Sequence, residues 1–210
     1  MSRLPTWLRG LASAIPDFGL AAFFLVVWRA PLDRGDHTVS HLILLMLLEF
    51  IIVHASGFMA TIIHGPATRL KKVGLLFGIG LLESIFVGGF CLSFGAWWPL
   101  ASFWGLTVNR MMGVLLNPVP DDDPGRYLGS QWATSVVFYL GGAFLTVMAP
   151  VPRFGITDAV LPRLGLTGGG LWIVQPWRVM AFGVIYYAAQ GLWALAVPFL
   201  FRDDRETNPH

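Results

Sequence analysis

The stretch VSHLILLMLLEFIIVHASGFMATII, residues 39–63, decides the fold. It carries one formal charge, Glu49, and exceeds the roughly 20 apolar residues that cross a hydrocarbon core of about 30 Å. Five further windows of this kind flank it, near residues 11–28, 73–94, 97–116, 131–151 and 179–201. The first is weakened by Pro16 and Asp17 near its start. Arg3 and Arg9 precede it as in a signal peptide, but no small-x-small cleavage pattern follows, so it is read as a retained span. The expectation is an all-α, polytopic membrane protein: one integral domain over residues 1–210, a bundle of six transmembrane helices.

Composition agrees. Of the 210 residues 55% are hydrophobic and only 12% charged, with a mean hydropathy of +0.65. Soluble chains carry about a quarter charged residues. A disordered tail, a secreted disulfide scaffold and an ordinary cytosolic enzyme are thereby excluded. The net charge of +2 does not point to nucleic acid, because the basic residues form short runs between apolar segments, without interleaved aromatics. The lone cysteine, Cys91, excludes an intrachain disulfide and a cysteine-ligated metal centre.

Basic residues orient the bundle. With the N-terminus inside, Arg3, Arg9, Arg69, Lys71, Lys72, Arg126, Arg202 and Arg205 are cytoplasmic. Arg29, Arg34, Arg153, Arg163 and Arg178 lie opposite, so both termini are expected inside, in a bacterial-type cytoplasmic (inner) membrane. Most tryptophans fall near span ends, as an interfacial belt requires; Trp104 and Trp193 lie well inside. Residues 117–130 read as a rigid acidic connector around Asp121-Asp122-Asp123, without the alternating ligands of a calcium loop. The glycine-rich segment 152–178 reads as a connector, with an interfacial or re-entrant piece as the alternative.

Ionisable groups within the spans carry the functional reading, since a central charge costs about 2.5–3.5 kcal/mol on insertion scales. Glu49 and Glu83 are central to the second and third spans; Arg110, beside Asn109, lies toward the end of the fourth, and Asp17 lies near the mouth of the first. At about 100° per residue, Leu42, Leu45, Val53, Ser56 and Ala60 share the face of Glu49. Leu76, Ile79, Val87 and Phe90 share that of Glu83, and Phe103, Thr107 and Val114 that of Arg110. The simplest arrangement joins spans two, three and four, with Arg110 answering one carboxylate. The other carboxylate is then held by hydrogen bonds, takes a proton or binds a cation. A Glu–Arg pair that merely fixes helix register is the competing interpretation.

Histidines give a weaker signal. His41, His54 and His64 point in different directions on one span, unlike the paired imidazoles of HExxH. His54 is the sole metal candidate, and only if a glutamate joins it; no cofactor is expected. No G-x-S-x-G, P-loop or dinucleotide fingerprint occurs in a suitable context. The spacing Gly74-x-x-x-Gly78 permits close helix approach but is common by chance. Three classes remain: a small proton- or ion-linked transporter or channel using Glu49, Glu83, Arg110, Asn109 and Asp17; a non-catalytic accessory or assembly subunit of a larger membrane complex; and a membrane metalloenzyme. The expected partners are the lipid bilayer and, for the first two classes, a second copy or other subunits.

Overall fold

Glycine and proline divide the chain into long helices. The computed structural model describes residues 6–116 and 125–200. Their helices are α1 (Thr6–Arg29), α2 (Thr38–His64), α3 (Arg69–Phe94), α4 (Trp98–Leu116), α5 (Gly125–Met148), the single turn α6 (Leu171–Val174) and α7 (Pro176–Leu200). A 3₁₀ turn covers Leu161–Leu164. No strand occurs among the described residues. Gly95, at φ 64°, ends α3 in the left-handed conformation and donates its N–H to Cys91 O. Pro99 and Pro176 fall in first helical turns, where a missing N–H costs nothing.

Four helices have the length and composition to cross a membrane: α1 from Gly10, α2, α3, and α7 to Val197. The helix α4 is 19 residues long, but Asn109 and Arg110 reduce its apolar character. Within α5 the apolar part is Trp132–Met148. Pro16 lies inside α1 and the helix continues through it, as membrane helices tolerate. The expected acidic connector is shorter than read, because α5 already begins at Gly125; Asp121-Asp122-Asp123 lies outside the described residues.

The central element is α2. Its N-terminal half joins a core with Phe24 and Val27 of α1, Tyr139 of α5, and Phe182 and Tyr186 of α7. Its C-terminal half joins a second core with Leu76 and Val87 of α3 and Phe103 and Val114 of α4. Aromatic rings seated on glycines set several crossings. A Cβ on Gly183 would overlap the Phe24 ring, bringing α1 and α7 into the most extensive helix contact of the molecule. A Cβ on Gly57 of α2 would lie 2.6 Å from the indole of Trp132. At the α3–α4 crossing Gly80 is used, whereas Gly74 and Gly78 face open space, so the GxxxG spacing makes no close approach.

Helix ends are closed by cations. Lys72 is buried and donates from Nζ to Ile63 O at 2.6 Å, at the C-terminus of α2. Arg178 donates to the carbonyls of Thr146, Val147 and Ala149 around the C-terminus of α5. Both serve the carbonyls that a helix end leaves unpaired. Residues 149–175 form an ordered cap on that end: Ile156 and Leu164 are fully buried, and Gly155 donates to Trp28 O. Trp28 packs edge-on against Phe154, and Arg153 stacks on Trp177, so these tryptophans are packing residues as much as an interfacial belt.

Candidate functional site

The face of α2 that carries Glu49, Val53, Ser56 and Ala60 opens on a cavity of about 500 Å³. Five helices wall it: Asp17 comes from α1, Arg110 from α4, Trp132 and Ser135 from α5, and Gln190 and Trp193 from α7. His64 lines it at the C-terminal end of α2. Three of these helices meet at Glu49. Tyr186 Oη of α7 donates to Glu49 Oε1 at 2.7 Å. One turn on, Gln190 Nε2 donates to Tyr186 Oη at 3.0 Å and to Ser135 Oγ at 2.8 Å. Both amide hydrogens of Gln190 are thereby engaged, and the tyrosine hydroxyl is directed at the carboxylate. Asp17 is the second carboxylate that lines this cavity.

Arg110 occupies another part of the same cavity. Its Nη2 donates to Ser56 Oγ at 2.8 Å and its Nη1 to Met59 Sδ at 2.9 Å. Ser56 lies two turns beyond Glu49, roughly 10 Å along the axis at 1.5 Å per residue. The expected ion pair between Arg110 and a glutamate is therefore not formed. The only ion pair among the described residues is Arg153–Asp158, in the cap. The reason is register: α2 and α4 flank the antiparallel α3 and run the same way, so the C-terminal part of α4 meets the C-terminal part of α2.

Glu83 departs further from expectation. It is partly buried on α3 within electrostatic range of His54, and it does not line the cavity. The two glutamates thus do not converge. His54 is turned away from Glu49 by about 140° on the helical wheel. It hydrogen-bonds Phe50 O through Nδ1 at 2.7 Å and lines a neighbouring, largely apolar groove of about 370 Å³ that shares Ala60, His64 and Trp132 with the cavity. Among the described residues no three His, Cys, Asp or Glu side chains cluster so as to hold a metal ion. Asn109 is exposed on α4 and does not line the cavity.

Of the residues singled out from sequence, Asp17, Glu49 and Arg110 share one space; Glu83, Asn109 and His54 lie outside it. Sequence reasoning missed Tyr186, Gln190, Ser135 and Trp132. Gln190 is an amide inside an apolar window, as Asn109 is in another, and only its place one turn from Tyr186 sets it apart. Trp132 reads as a span-end residue only if the helix starts at 131. It lies a further two turns in, and donates from Nε1 to Val53 O at 3.0 Å.

No protein-family model matches the chain, and neither a curated protein nor a solved structure shows significant similarity to it.

Proposed function

We propose that the chain is a six-span protein of a bacterial-type cytoplasmic membrane, with both termini inside, acting as a small proton- or ion-linked transporter. In this reading α4 and α5 complete the set begun by the four apolar helices. Glu49 is the group that takes up the proton or cation, and Asp17 adds negative potential beside it. Arg110 sets the positive side of the path, and His64 marks its cytoplasmic mouth. The observation that carries the reading is the shared cavity: two carboxylates and a guanidinium from three helices line one space of about 500 Å³, with no ion pair to any of them among the described residues. Ionisable groups at membrane depth are costly, and unpaired ones facing a cavity mark ion or proton paths. Glu83 and Asn109 take no part.

The accessory-subunit reading has one observation in its favour. The chain Glu49–Tyr186–Gln190–Ser135 ties α2, α7 and α5 together, as a purely structural network does. Reconstitution separates the two. In liposomes holding a pH-sensitive dye, a potential-driven proton or sodium flux is expected, and Glu49→Gln is expected to reduce it at least about tenfold, the loss of roughly 1.4 kcal/mol of interaction or more. Equal permeability of protein-free, wild-type and Glu49→Gln vesicles would favour the accessory role.

A further inference from the structure

The cavity is lined by groups of opposite charge, and among the described residues none of them is met by an ion pair. Glu49 and Asp17 are its carboxylates, and among the described residues Glu49 accepts one side-chain hydrogen bond, from Tyr186. The Arg110 guanidinium contacts a hydroxyl and a thioether. Those are weak acceptors for a group with five N–H donors in a planar fork that matches carboxylate or phosphate. A buried charge is normally paired, because removal from water is expensive. Unpaired groups of opposite sign in one space suit a ligand that supplies both partners. Ile52 and Val53 add apolar surface to a wall that also carries Ser135 and Gln190.

We infer that the cavity binds a small dipolar molecule whose ammonium lies at Glu49 and Asp17 and whose oxyanion lies at Arg110. Ser56, which holds Arg110, lies about 10 Å along α2 from Glu49, so the two charges of the ligand stand on different carbons. A four-carbon ω-amino acid has this form, as does a phosphoethanolamine group, free or as a lipid headgroup. An α-amino acid carries both charges on one carbon and is the short comparison. The inference deepens the transport reading by naming the cargo class.

The test is equilibrium binding to the full-length chain in detergent, read by fluorescence of the cavity tryptophans and by calorimetry. The probes are 4-aminobutanoate, phosphoethanolamine, glycine, butanoate and butylamine. The two long dipolar probes are expected to bind at least about tenfold more tightly than glycine or either singly charged analogue, since one charge-assisted hydrogen bond contributes about 1.5–3 kcal/mol. Arg110→Gln is expected to abolish the advantage of 4-aminobutanoate over butylamine, and Glu49→Gln its advantage over butanoate. Because either variant could fail to fold, the wild-type ranking alone decides. Equal affinity across the series, or no binding by either long probe, overturns the inference. Nanodiscs separate the sources: competition by phosphatidylethanolamine but not phosphatidylglycerol assigns the lipid headgroup, and no competition assigns the free molecule. Proton or sodium flux without dipolar binding would remove the cargo and leave ion-linked transport standing. Dipolar binding without flux would do the reverse.

Discussion

Tyr186 and Tyr139 stand edge to face in one core with ring centroids 5.5 Å apart, yet their hydroxyls do different work. Tyr139 donates to Met46 O at 2.7 Å, a carbonyl already inside a helical ladder. Tyr186 donates to a carboxylate that forms no ion pair among the described residues. Tyr139→Phe is expected to cost about 0.6 kcal/mol, the mean for polar contacts between membrane helices. Tyr186→Phe is expected to cost about 1.5–3 kcal/mol, as for a hydrogen bond to a charged group. Reversible unfolding in mixed micelles measures both; equal costs would show that Glu49 does not depend on its tyrosine. The carboxylate itself was legible in the sequence, because a charge amid apolar residues stands out. Its partners were not, since tyrosine, serine and a lone glutamine are common enough in spans that only their convergence distinguishes them.

Among the elements, helix ends show how basic residues do two jobs. Counted in alternate loops, Lys72 and Arg178 are orientation signals; in the fold each closes a helix C-terminus. Arg178 reaches two carbonyls of α5 and that of Ala149 just beyond it, while its Nε holds Gln175 Oε1. Arg178→Met should therefore destabilise the protein by about 2–3 kcal/mol and expose residues 149–175 to protease, as charged hydrogen bonds of this kind are lost together. Arg178→Lys should recover only part of this, because an ammonium lacks the planar fork. Full recovery would mean that charge alone matters at this position. Helix positions were readable from hydropathy to within a few residues for α2, α3 and α7. The start of α5 was not, since residues 125–130 are polar and look like loop until they are seen to continue a helix. Nor could spacing alone tell the glycines that take a ring, such as Gly183, from those facing open space, such as Gly74.

At the scale of the molecule, one face is apolar and outward while the polar groups turn in. Leu81, Leu82, Ile85 and Phe86 of α3 are exposed, as suits a surface solvated by acyl chains. Of the residues that helical phase places with Glu49, Val53, Ser56 and Ala60 line its cavity, whereas Leu42 and Leu45 join the core beyond it. It could not predict the vertical register of α4 against α2, which places Arg110 beside Ser56 instead of Glu49. Nor could it rotate α3 correctly, which takes Glu83 to His54. The central claim is that Glu49, Asp17 and Arg110 share a water-accessible space. Its most direct test is cysteine accessibility, because the one native thiol, Cys91, is fully buried and serves as a silent background. Ala60→Cys and Ala194→Cys, both lining the cavity, are compared with Leu82→Cys, which is 57% exposed on the outer face of α3. A charged, membrane-impermeant thiosulfonate applied from the His64 side should modify the two cavity positions rapidly and the Leu82 position hardly at all. Modification of the cavity positions no faster than that of Leu82→Cys would contradict the account.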